Sequence, residues 1–191
     1  MDFMNTHDPI TKQRQSHDAA RIHPARLDLD ALAAQCDCRT TRRSGPGGRN
    51  RNKVETAVIL THRPTGITAE ASERRTQAEN RRAALFRLRL KLALDIRRTV
   101  GTEKPSPYQP SDLWQRRCRG GRIVINPEHD DFPALLAEAL DVLAVTGNEP
   151  RRAALALGCS PSQLIKLLKD EPRCLGLVND HRRQAGLHPL Q

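Results

Sequence analysis

Apolar positions follow three rhythms along this chain. In TQAENRRAALFRLRLKLALDIRR (76–98), Leu85, Leu88, Leu92 and Ile96 recur at helical spacing, flanked by Phe86 and Leu90. Thr76 and Glu79 stand at capping-box spacing, where each side chain satisfies a free backbone N–H of the other. Together they predict a helix from Gln77 to about Arg98, its leucine stripe turned to a core. In ITAEA (67–71) the rhythm changes to two: Ile67, Ala69 and Ala71 on one face, Thr68 and Glu70 on the other. ETAVILTH (55–62) is equally β-prone, and Pro64 and Gly66 punctuate the gap at hairpin spacing. CRTTR (38–42) is a further β-prone run. LDLDALAAQC (27–36) reads as a short helix with Asp28 or Asp30 as N-cap.

From Phe132 onward the pattern is helical. One helix opens near Asp131 with Pro133 in its first turn and closes at Gly147. PRRAALALG ends at Gly158. SPSQLIKLLKDEP comes next, with Ser160 as N-cap and Gln163 as its capping partner. RCLGLVNDHRRQAG closes at Gly186. Ala154, Gly158 and Leu164 fall at helix-turn-helix offsets, so an ordinary helical bundle and a nucleic-acid reader both remain open. Between the halves, GTEKPSPYQPSD (101–112) has three prolines and no apolar period. RIVI (122–125) is a candidate strand, and Trp114 a packing anchor. The fold class expected is α+β: a small sheet with one long packed helix and a protruding Gly-rich loop, then an all-α, helix-turn-helix-like C-terminal region. The divisions are 1–26, a disordered N-terminal arm; 27–100, the α+β domain; 101–112, a Pro-rich linker; and 113–191, the helical region.

Composition sharpens this. Hydrophobic residues make up 37% and aromatics 3% of the 191 residues, so the core rests on Leu, Ala, Ile and Val. The net charge is +10. Residues 39–98 hold 16 Lys/Arg against 5 Asp/Glu, and the remaining residues 16 against 17. A basic excess confined to one block points to a polyanion, nucleic acid first. The arginines of the long helix are then either a solvated face or an RNA-facing one. No apolar run is long enough for a membrane span, and the N-terminus lacks the apolar core of a secretory signal. Five cysteines, odd in number and without a CxxC pair, fit reduced thiols in a cytoplasm. No metal site and no cofactor is expected.

The chemistry gathers in RRSGPGGRNRNKVETA (42–57). Glycines let a backbone approach a ligand closely, and consecutive N–H groups can converge on an anion or a developing oxyanion. Together with the residues C-terminal to it, this stretch resembles the catalytic domain of bacterial-type peptide chain release factors and their short ribosome-rescue relatives. The matching residues are Ser44, Gly45, Gly47, Gly48, Asn52, Thr56, Ala57, Val58, Thr61, His62, Pro64, Thr65, Gly66, Ile67, Arg75, Gln77 and Asn80. The resemblance covers about 38–98.

It implies a loop that enters the ribosomal peptidyl transferase centre, and hydrolysis of the peptidyl-tRNA ester. The implied partners are the ribosome's rRNA and peptidyl-tRNA. Gly47, Gly48 and Arg49 would form the catalytic tip. Arg42, Arg43, Arg51, Asn52, Lys53 and Arg75 would contact RNA. Arg49 stands where the family carries glutamine. Its backbone N–H remains a donor, but a guanidinium is longer, always charged and accepts no hydrogen bond. It can instead grip a phosphate. Two functions are compatible with this: codon-independent peptide release in termination or rescue, or non-catalytic RNA or DNA binding on the same fold. The thirty-odd polar residues ahead of the domain are too few for stop-codon recognition domains. The C-terminal half is nearly neutral rather than a basic tail. A second nucleic-acid or protein partner is expected for 133–186.

Overall fold

A computed structural model describes residues 22–42, 56–98 and 108–191. Three antiparallel strands form the sheet, β1 (Cys36–Thr41), β2 (Ala57–His62) and β3 (Thr68–Ala71), with β2 in the middle. The alternation seen in the sequence sets the faces. Ala69 and Ala71 are buried beside Val58 and Leu60, while Thr68 and Glu70 are exposed. Helix α1 (Leu29–Ala34) precedes β1, and of the two candidate caps Asp28 is the one used: its Oδ1 accepts the Ala31 N–H at 2.7 Å.

Helix α2 (Gln77–Asp95) lies across the sheet with Leu85, Leu88 and Leu92 buried against β2 and β3. Both halves of its capping box form, Thr76 Oγ1 accepting from Glu79 N–H and Glu79 Oε2 from Thr76 N–H, each at 3.2 Å. The helix stops at Asp95, short of the expected Arg98, because Ile96 turns extended. Arg97 then folds back. Its guanidinium donates to the carbonyls of Ala93 and Leu94, both at 2.7 Å, and to that of Ile96, satisfying acceptors that a helix end leaves free.

The second half comprises α3 (Asp112–Arg117), a short hairpin of β4 (Cys118–Arg119) and β5 (Arg122–Ile123), then α4 (Phe132–Val145), α5 (Pro150–Leu157), α6 (Pro161–Lys169) and α7 (Pro172–Gln184). The hairpin adds β structure to a region expected to be helical apart from the candidate strand at 122–125, whose first two residues form β5. Trp114 is buried, and its Nε1 donates to Leu157 O at 2.8 Å. The core of this half holds Phe132, Leu135, Leu143 and Leu164.

The two cores meet along α2 and α4. Ala137 of α4 belongs to the sheet core, and Leu94 of α2 to the helical one. Arg89 is buried between them, donating to Ala25 O at 2.9 and 3.1 Å and to Asp130 O. The chain is packed from early on: His23, Pro24 and Ala25 are buried, inside the stretch expected as an arm. On either side of Pro110, Tyr108 Oη and Ser111 N–H donate to the buried Glu138 carboxylate at 2.8 and 2.7 Å, so the end of the expected linker is docked.

Two buried groups give the fold opposed pH responses. Burial pushes the Asp141 carboxyl up to about 6, despite an N–H from Arg98 at 2.8 Å. Burial pulls His23 down to about 4. The raised carboxyl favours the folded state at low pH, and this contribution is lost as the pH rises through 6. The lowered imidazole favours it above 6.5, and this is lost as the pH falls toward 4. Asp141→Asn removes one side of the pair. At pH 7.5 its stability to urea should exceed that of the unmodified chain by up to about 3 kcal/mol, a gap that narrows as the pH falls below 6.

Candidate nucleic-acid interface

The sheet mounts the glycine-rich loop at one end. Pairing of β1 with β2 closes with Thr41 opposite Ala57, so the chain departs at 42 and returns at 56 from adjacent positions. Of the expected site residues, Arg43, Gly47, Gly48, Arg49, Arg51, Asn52 and Lys53 lie outside the described residues. Arg42 and Arg75 are described, and both are exposed at the base of the loop.

Asn80 fixes that base. It sits in the first turn of α2 and is fully buried. Its Nδ2 donates to Thr56 O at 2.7 Å and to Arg74 O at 3.1 Å, and its Oδ1 accepts the Arg74 N–H at 2.9 Å. One side-chain amide therefore ties the returning chain, the turn that carries Arg74 and Arg75, and the helix. A buried amide used as both donor and acceptor specifies a single geometry. Asn80 is part of the family pattern in the sequence, but its role emerges only from these bonds.

The basic residues of α2 divide by partner. Arg87 forks onto Glu73 at 2.7 and 3.2 Å and also donates to Glu70 O. Lys91 Nζ donates to Thr68 O at 2.7 Å, and Arg82 pairs with Asp130 at 2.8 Å. Arg89 and Arg97 serve backbone carbonyls. These side chains hold helix to sheet and to its surroundings. Arg39 on β1, Arg74 and Arg75 in the turn, and Arg81 on α2 are exposed and without such a partner among the described residues. The charge facing outward is thus smaller than the residue count implies and lies partly beside the loop base.

His62 belongs to the other end of β2, five residues or about 17 Å from Ala57. It is buried, with Nδ1 2.8 Å from Thr65 Oγ1 and Nε2 3.0 Å from Gln35 Oε1. Burial and Arg63 lower its pKa, holding the ring neutral. Both nitrogens are engaged in fixing the turn, which leaves the ring no part in chemistry at the loop. A groove between α1 and α2 is lined by Leu29, Ala33, Leu85 and Phe86 with Arg81 and Asp30 beside them. Among the described residues no cluster of His, Cys, Asp or Glu could hold a metal ion. The five thiols are free, and burial pushes Cys159 and Cys174 up to about 12, far from thiolate reactivity. Among the described residues no helix is long and apolar enough to cross a membrane.

Residues 26–114 match the family model described as the RF-1 domain. Relatives similar in sequence are peptide chain release factors. A chloroplastic one from Arabidopsis thaliana is 46% identical over 67 residues, 35% of this chain and 15% of that protein. Peptide chain release factor 2 of Paramagnetospirillum magneticum is 33% identical over 129 residues, 65% of this chain and 34% of that protein. Peptide chain release factor 1 of Acidiphilium cryptum is 42% identical over 150 residues, 71% of this chain and 42% of that protein. The chain therefore spans less than half the length of each of these relatives.

Replacing Asn80 tests the mounting. Asn80→Ala leaves the half-buried carbonyls of Thr56 and Arg74 without their donor and should lower stability by about 1–3 kcal/mol in urea denaturation. Asn80→Asp, nearly the same in size, turns an acceptor toward those carbonyls and should cost as much.

Proposed function

We propose that this chain, whose residues 26–114 match the RF-1 domain, belongs to the peptide chain release factor family and acts on the ribosome in translation termination or rescue. The loop 42–56 enters the peptidyl transferase centre, and the N–H of Arg49 donates to the oxygen on which charge develops as water attacks the peptidyl-tRNA ester. Gly47 and Gly48 allow the backbone to come that close. The Arg49 guanidinium cannot accept a hydrogen bond from the attacking water as the family's glutamine amide can, so it binds RNA phosphate and leaves water less well placed. Hydrolysis is accordingly slow and independent of the codon. Arg42 and Arg75, exposed at the loop base, offset phosphate charge around the entry, together with Arg43, Arg51, Asn52 and Lys53.

The observation that carries this reading is the anchored base: the RF-1 match coincides with a loop whose two ends are fixed by the Thr41–Ala57 pairing and by Asn80. A second reading draws on Arg49 itself. A permanent cation in place of glutamine suits a protein that binds RNA in the same place without hydrolysis.

Peptide release from stalled ribosomes carrying labelled peptidyl-tRNA separates the two. We expect slow release by the unmodified protein with no stop codon present, release at least about 10-fold faster with Arg49→Gln, and release near background with Gly48→Ala. An unmodified protein that sediments with ribosomes yet releases nothing would leave only the binding role. Failure to sediment with ribosomes would overturn both readings.

A further inference from the structure

The pair α5–α6 carries a charge pattern unlike the rest of the surface. Residues 150–169 include Arg151, Arg152, Lys166 and Lys169 and no Asp or Glu. All four are exposed, and none has a hydrogen-bond or ion-pair partner among the described residues. Apart from Arg39, Arg74, Arg75 and Arg81 near the loop base, several exposed arginines elsewhere find carboxylates: Arg63 with Asp37, Arg117 with Asp131, Arg173 with Glu171, Arg183 with Asp180.

The hairpin extends this surface. It is bonded to the start of α6 twice, Ser160 N–H donating to Gly121 O at 3.1 Å and Ile123 N–H to Gln163 Oε1 at 3.1 Å. Arg119 and Arg122 face each other across it, exposed and likewise without a partner among the described residues. Lys166 lies three residues beyond Gln163, and Lys169 three beyond Lys166, so the cations continue from the hairpin along α6 about one turn apart. The turn that sets α5 against α6 is well specified. Gly158 takes φ +67°, Cys159 N–H donates to Ala154 O at 3.0 Å, and Ser160 caps α6. Ala154 and Leu164 are buried beneath it.

We propose that the hairpin β4–β5 and the pair α5–α6 form a second RNA-binding face, one that grips the phosphate backbone of double-helical RNA without reading its sequence. Beyond Pro161 the exposed side chains of α6 are Ser162, Lys166 and Lys169, which suit phosphates. Gln163, the residue type that reads base edges, is held by Ile123. A protein partner is disfavoured because, among the described residues, Leu155 on these helices and Val124 beside the hairpin are the large apolar side chains strongly exposed here, and two such side chains do not make an interface core. The choice of RNA over DNA rests on the proposed ribosomal function. The unpaired cations do not depend on it.

The test uses the full chain and no ribosomes, so its outcome is separate from that of peptide release. Fluorescence anisotropy measures binding to an RNA duplex of about 16 base pairs and to the DNA duplex of the same sequence, over a series of salt concentrations. Combining Arg119→Glu, Arg122→Glu, Lys166→Glu and Lys169→Glu should weaken RNA binding at least about 10-fold. It should also flatten the slope of log K against log salt by about 3. The milder Lys166→Gln with Lys169→Gln should lose less, and unchanged urea midpoints would confirm that both variants fold. Unaltered RNA affinity in the fourfold variant would remove this face from RNA binding. Tighter binding to DNA than to RNA at every salt would overturn the choice of RNA.

Discussion

Burial of α2 on two sides is the constraint on which the molecule depends. One side, with Leu85, Leu88 and Leu92, closes the core over the sheet. The other meets α4, where Leu94 joins the helical core. Arg89 sits where the two meet. A buried cation is tolerable only if its donors are used, and here backbone carbonyls rather than a buried carboxylate receive them. These bonds tie the turn at Ala25 and the approach to α4 at Asp130 to the middle of one helix. The helix that braces the loop base through Asn80 is thus braced in turn by the rest of the chain.

Much of this architecture was legible from local signals. The capping box, the period-two strand and the proline- and glycine-marked helix ends depend on residues a few positions apart, and each appears in the fold. What was not legible is non-local. The burial of His23 depends on a carbonyl 73 residues away, at Ile96. Tyr108 and Ser111 are drawn out of a proline-rich stretch by Glu138, a carboxylate that in sequence looks like a polar interruption of an apolar helix. The early end of α2 comes from Arg97 turning onto the carbonyls behind it, and a basic residue near a helix end gives no sign of which turn it will close.

The candidate site divides the same way. The family pattern marks the loop and Asn80 directly. Which arginines remain outward could not be read, because charge counts do not distinguish Arg87, clamped on Glu73, from Arg75, exposed beside the loop. The structure turns a diffuse basic block into two kinds of residue, those that assemble the domain and those left exposed to solvent. The hairpin beside α6 is only half visible in the sequence: the run at 122–125 marks β5, but the two-residue β4 carries almost no periodicity, and Gly120–Gly121 reads as an ordinary turn.

The fixed register between Thr41 and Ala57 also sets a length scale. Gly48 is seven residues from Thr41, and a fully extended chain covers at most about 3.6 Å per residue. The glycines at the tip can therefore stand no more than about 25 Å from the end of the sheet, whatever path the loop takes. Any ester they approach must lie in a passage that admits the body of the domain to within that reach. Because the base is pinned, adding or removing residues between 42 and 56 would adjust the reach without disturbing the sheet. Loop length thus sets how far from the sheet the glycines can reach.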